Sequence, residues 1–138
     1  MKVVLDTDVI VAAVLSERGA SRQLLLRVVD GVLDGAISVA LMLEYEAVLK
    51  RPEILRQSKL TADDVDVILD QVAASMEHVA MFYLWRPVLR DAEDDMVLET
   101  AVNGQADAIA TFNIGDFGDA PTRFGIEVIR PGSLLRRV

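Results

Sequence analysis

Residues 2–5 read Lys-Val-Val-Leu and stop at an acid, Asp6. A short apolar, β-branched run of this kind suits a strand buried on both faces, the environment of a parallel sheet. The pattern recurs at 36–39 (Ala-Ile-Ser-Val), from His78 to Met81, at 107–111 (Asp-Ala-Ile-Ala-Thr) and from Glu127 to Ile129. Parallel strands need long crossovers, and the stretches between these runs have helical periodicity. Alternation of this type predicts an α/β chain, a three-layer α/β/α sandwich around a central, mostly parallel sheet.

The intervening helices can be read from their stripes and caps. Residues 9–15 are mostly apolar and start a helix that the Ser16–Ala20 stretch, with Gly19, breaks. Ser21 is the expected N-cap of a second helix carrying Leu24, Leu25, Val28, Val29 and Val32 on one stripe. A third, from about 40 to 50, buries Leu41, Tyr45, Val48 and Leu49, with Pro52 beyond its end. Thr61-Ala-Asp-Asp64 resembles a capping box, followed by Val65, Ile68, Leu69, Val72 and Met76 at helical spacing. Val97, Leu98, Ala101 and Val102 mark another helix, which Gly104 terminates. Asn113 to Phe117 reads as a loop or single turn, and Pro131 opens a short terminal helix.

No repeat, linker or low-complexity segment interrupts the 138 residues, so one domain, 1–138, is expected. No apolar run reaches the roughly 18 residues of a membrane span, and Lys2 and Asp6 interrupt any signal-peptide core. With no cysteine there are no disulfides or thiolate metal sites, which suits a reducing cytoplasm. The single histidine, His78, rules out a multi-histidine zinc centre. A net charge of −8 runs against polyanion binding unless the acids hold cations, because bound divalent ions would turn the same surface attractive to phosphate.

Several acids fall where a parallel sheet gathers its ligands, at the carboxyl ends of strands. Asp6 and Asp8 follow the first strand, Glu44 lies in the first turns of the helix after the second, and Asn113 and Asp116 follow the 107–111 strand. Asp94 opens the helix before that strand, three residues before Val97, four before Leu98 and seven before Ala101, so it is centred on the apolar stripe. Asp95 turns roughly a hundred degrees away. Glu44 shares a face with Leu41 and Val48, whereas Glu46 points further outward. A carboxylate facing a core is costly unless it is paired or metal-bound, which favours Asp94 and Glu44 as ligands. Each acid alone has an ordinary structural reading: Asp91 or Asp94 as a cap, Asp6 as a turn former, Asn113 as an Asx turn, Asp107 as a strand-start residue. Met81, Phe82, Tyr83 and Trp85 form an apolar-aromatic cluster read as packing, and His78 is given no role.

Taken in order, Val-Val-Leu-Asp6-Thr-Asp8-Val, Leu43-Glu44-Tyr45, Arg90-Asp91-Ala-Glu-Asp94-Asp95 and Ala106-Asp107-Ala-Ile-Ala-Thr111-Phe-Asn113-Ile-Gly-Asp116-Phe117 resemble a PIN domain, most closely its bacterial toxin branch. The resemblance spans residue 3 to about 132. It implies a metal-dependent endoribonuclease using Mg²⁺ or Mn²⁺, with Asp6, Glu44, Asp94 and Asp116 as ligands, Asn113 in the fourth motif, and Asp8 either as a further ligand or as a turn residue. It also implies an RNA substrate, an antitoxin protein partner and self-association as a homodimer or larger oligomer. Many members have Asn where this chain has Asp8, and Asp where it has Asn113. Hard divalent ions suit such oxygen donors, and paired metals suit phosphodiester hydrolysis. Arg51, Arg86, Arg90 and Arg123 are the candidate phosphate contacts. The alternatives are a phosphotransferase built on Asp6-Thr7-Asp8, and an inactive protein-binding domain. The former wants a lysine at a later strand end, yet Lys occurs only at 2, 50 and 59.

Overall fold

In the computed structural model, residues 1–81 and 92–138 are described. Phe82, Tyr83, Trp85, Arg86, Arg90 and Asp91 therefore lie outside the described residues. The chain runs β1 (Lys2–Leu5), α1 (Thr7–Leu15), α2 (Ala20–Val29), β2 (Asp34–Ile37), α3 (Val39–Leu49), α4 (Pro52–Ser58), α5 (Ala62–Ser75) and β3 (Met76–His78). It resumes with α6 (Ala92–Asn103), β4 (Ala108–Ala110), a 3₁₀ turn (Ile114–Phe117), α7 (Ala120–Arg123), β5 (Glu127–Ile129) and α8 (Pro131–Leu135). The five strands form one sheet in the order β3-β2-β1-β4-β5, every pair parallel. Helices cover it in the three-layer α/β/α arrangement of a PIN-like fold.

The central strand is the one the sequence marks most strongly. Val3, Val4 and Leu5 are fully buried, as are Ala108, Ile109 and Ala110 of the neighbouring β4. The strand order reverses between β1 and β4, so the crevice beyond their carboxyl ends is the topological switch point, where open α/β sheets bind ligands. Asp6 leaves β1 there, its N–H still donating to the Ala110 carbonyl at 2.9 Å, and Thr111 leaves β4 beside it.

Several expected boundaries move. The second strand is 34–37 rather than 36–39, because Ser38 has already left the sheet to cap α3, its Oγ accepting from the Leu41 N–H at 3.2 Å. Helix α2 is capped at Gly19, which places Ser21 inside it and buried rather than at the cap. It ends at Val29, since Gly31 takes a positive φ of 77°, and Val32 is left 67% exposed instead of extending the stripe. Pro52 does stop α3, yet it also opens α4, a helix that its fixed φ favours and that the stripe pattern did not reveal. Met76 begins β3 instead of finishing α5, so the third strand is 76–78 rather than 78–81. The Thr61–Asp64 capping box forms as expected.

Candidate active site

Asp6 does two jobs at the end of β1. Its extended backbone makes it the N-cap of α1, with Oδ1 accepting from the Thr7 N–H at 2.7 Å. Its Oδ2 accepts from the Thr111 hydroxyl, also at 2.7 Å, across the switch point. Asp6 is thus a helix cap rather than the turn former of its ordinary structural reading, and the cap uses only one of its two oxygens. Thr111 is fully buried, and its Oγ1 also accepts from the Asn113 N–H at 3.0 Å, which folds the chain back over the cleft.

Asp8 sits in the first turn of α1 and faces the same loop. Its Oδ2 accepts from the Phe112 N–H at 3.1 Å and from the Asn113 amide at 2.9 Å. Its Oδ1 is buried and has no hydrogen-bond partner. That orphaned oxygen beside a second carboxylate fits a bound cation, the usual remedy for a buried charge. Burial pushes the Asp6 carboxyl up to about 6, helped by the negative charges of Asp8 and Asp116 and opposed by the hydrogen bonds from Thr111 and Thr7. Burial likewise raises Asp8, against the bonds it receives from Phe112 and Thr111.

A cleft of ≈ 370 Å³ gathers these groups: Asp6, Thr7 and Asp8 with Asp94, Asn113 and Asp116, alongside Val11, Val48, Arg51 and Ile54. Residues far apart in sequence thus share one concavity at the carboxyl edge of the sheet. Among the described residues, no three acids or histidines are grouped closely enough to cage a metal. Magnesium in particular keeps several waters and takes one or two carboxylates with substrate phosphates, so an open set of this kind suits it.

Glu44 is half-buried on α3, one turn before Val48 on the same face, and is not among the residues lining the cleft. Its neighbour Tyr45 is wholly buried and donates its hydroxyl to the Leu5 carbonyl, tying α3 to the end of β1. Asp94 is half-buried and lines the cleft. The expectation that Asp95 would be the less buried neighbour is reversed: Asp95 is 3% exposed and Glu99, one turn on, 0%. Helix α6 packs on β1, β2, β4 and α3, so no face of its middle is free and stripe position does not rank its acids. Glu99 is a buried acid that the sequence pattern does not single out. Its spacing of four from Asp95 was the available signal.

Three further residues weighed in the sequence have structural duties. Asp107 accepts from the Lys2 N–H at 2.7 Å, and Arg123 pairs with Asp119 on the surface. His78 bonds the Ala73 carbonyl at 2.8 Å. A larger cavity of ≈ 570 Å³ lies between α1, α2, α5 and the turn after α4, with Glu17 the one acid among its described lining residues. No helix among the described residues is long and apolar enough to cross a membrane.

No curated protein and no solved structure matches the chain. The family model described as PIN domain matches residues 2–115, which include β1, Glu44, Asp94 and Asn113. Members of that family are generally nuclease-like and typically use divalent metals. With most of its length covered, and with the parallel sheet and acid-lined cleft described above, the chain belongs to the PIN domain family.

Proposed function

We propose that this chain is a metal-dependent endoribonuclease hydrolysing RNA phosphodiester bonds with Mg²⁺ or Mn²⁺. The observation that carries the reading is the convergence of Asp6, Asp8, Asp94, Asn113 and Asp116 on one cleft at the switch point of a parallel sheet. Asp6, Asp94 and Asp116 would hold the metal, with Asp8 contributing its orphaned Oδ1 and Glu44 approaching from α3. When bound, the metal supplies charge neutralisation at the phosphate and an activated water. The chain's own residues do the positioning. Thr111 fixes the Asp6 carboxylate through one oxygen, and Asn113 spends its amide N–H on Asp8, which makes it an orienting residue.

The phosphotransferase reading lacks its cation. Lys2 pairs with Glu77, Lys50 pairs with Asp66, and none of the three lysines lines the cleft. The finer role as the toxin of a toxin–antitoxin pair, with an antitoxin partner, self-association and a cytoplasmic location, is proposed from the resemblance to the toxin branch. A single domain over 1–138 is proposed with it.

The test is cleavage of single-stranded RNA by the purified chain with Mg²⁺ or Mn²⁺. Asp6→Asn and Asp94→Asn should each lose roughly a hundredfold or more in rate. Activity retained in both variants defeats the assignment of Asp6 and Asp94 to the reaction centre. Absence of both metal binding and activity in the unmodified chain would point instead to a protein-binding domain.

A further inference from the structure

The acid cleft has a second kind of lining. Val11 of α1, Val48 of α3 and Ile54 of α4 give it an apolar surface, and Arg51 is the one Lys, Arg or His among its described lining residues. Arg51 sits in the joint between α3 and α4, with its backbone fixed. Its N–H donates to the Val48 carbonyl at 3.2 Å, and its own carbonyl accepts from Ile54 and Leu55 at 3.0 Å each. Its side chain is exposed and makes no hydrogen bond or ion pair among the described residues.

Four other cations of the chain are spent within the fold. Lys2 pairs with Glu77, Lys50 with Asp66 and Arg137 with Glu127, while Arg22 donates to the carbonyls closing α1. A guanidinium without a partner among the described residues, at the edge of a carboxylate-lined cleft in a chain of net charge −8, has a chemical match in the substrate of the nuclease reading. That match is a phosphate, whose oxygens its planar fork meets two at a time. A volume of ≈ 370 Å³ also exceeds what one phosphodiester group fills, and the apolar residues offer a surface for a sugar and an unstacked base.

We propose that Arg51 holds a backbone phosphate of a single-stranded RNA adjacent to the scissile one, with Val11, Val48 and Ile54 taking the nucleotide between them. The proposal rests on the nuclease reading above and names how that site grips its substrate. It also gives an acidic protein a local, directional hold on a polyanion that bulk charge denies it.

Binding and cleavage test it separately. A short single-stranded RNA oligonucleotide is titrated by fluorescence anisotropy in Ca²⁺ over a range of salt, against the unmodified chain, Arg51→Ala, Arg51→Lys and the charge-matched Arg137→Ala. Arg51→Ala should bind about tenfold more weakly, and its slope of log K against log salt should shrink by about 0.7. Arg51→Lys should recover the slope more fully than the affinity, because it keeps the charge and loses the fork. Arg137→Ala should do neither. In Mn²⁺, kcat/KM for RNA should fall about tenfold further in Arg51→Ala than kcat/KM for bis(p-nitrophenyl) phosphate, a diester with no neighbouring phosphate.

An unchanged salt slope in Arg51→Ala, or equal losses on the two substrates, overturns the assignment of Arg51. Absence of cleavage of either substrate by the unmodified chain overturns the nuclease reading instead, and the binding arm then decides Arg51 alone. Absence of RNA binding by the unmodified chain removes both.

Discussion

Two carboxylates carry opposing demands at the head of α1. Asp6 is 8% exposed and its carboxyl is raised to about 6 from an ordinary 3.8. Below pH 3.8 the carboxyl is protonated in both folded and unfolded chains and contributes nothing to the difference. Between 3.8 and 6 the folded chain holds the proton more tightly, so stability falls as pH rises, and above 6 the full cost of about 3 kcal/mol stands. Asp6→Asn should therefore stabilise the metal-free protein at pH 7 by up to that amount and leave it unchanged below pH 4. Urea unfolding in EDTA at the two pH values measures this, and equal effects at both would refute it. The Asp8–Asn113 bond makes a second residue-scale prediction. Asn113→Asp sets a carboxylate against the Asp8 Oδ2 that now accepts its amide at 2.9 Å, and should destabilise by about 1–3 kcal/mol. Adding Asp8→Asn reverses the direction of the hydrogen bond and should recover most of the loss, with a coupling energy measurable by a double-mutant cycle. The chain's two departures from the common PIN pattern, Asp8 and Asn113, are thus the two ends of one contact. Sequence alone shows each position separately and not the bond that joins them.

At the scale of elements, the site depends on how helices are pinned to strand ends. Tyr45 reaches from α3 to the Leu5 carbonyl, one residue before Asp6, and its buried hydroxyl is pushed further above its ordinary pKa, first by burial and then by the Asp6 charge. Tyr45→Phe leaves that carbonyl without its side-chain donor and should cost about 1–2 kcal/mol, with a fall in nuclease rate as α3, and Glu44 with it, loosens against β1. Denaturant midpoints and RNA cleavage check the two parts, and a variant as stable and as active as the parent removes Tyr45 from the argument. The central strand and the helical stripes were legible because burial on both faces demands apolar residues at every position of β1, and packing on one face demands a 3.6-residue period. The edges of elements were not, since Ser38, Gly31 and Pro52 act through local hydrogen bonds and dihedrals that override the stripe. Acid ranking on α6 failed for a related reason. Periodicity tells which face is apolar, but α6 is packed on several sides, so Asp95 and Glu99 are buried despite lying off the expected stripe.

Across the whole molecule, the −8 net charge and the acid-lined cleft pull in the same direction. Self-repulsion of a highly charged chain weakens the compact state, and the cleft concentrates part of that repulsion where the charges of Asp8 and Asp116 raise the proton affinity of Asp6, and that of Asp116 raises Asp8. A divalent cation bound there relieves both terms in the folded state only, so metal and stability must be linked. At about a hundred times its dissociation constant, such an ion adds roughly 2.7 kcal/mol. For a chain of 138 residues that corresponds to a rise in Tm of roughly 10 °C. The rise should shrink as pH falls below about 6, because Asp6 must lose its proton to bind. Differential scanning fluorimetry with Mn²⁺ or Mg²⁺, against NaCl at equal ionic strength, separates the site from general screening. Asp94→Asn and Asp116→Asn should blunt the divalent response while keeping the response to NaCl. A shift that NaCl reproduces, or that both variants retain in full, would place the metal effect on the surface at large and leave the cleft without its cation.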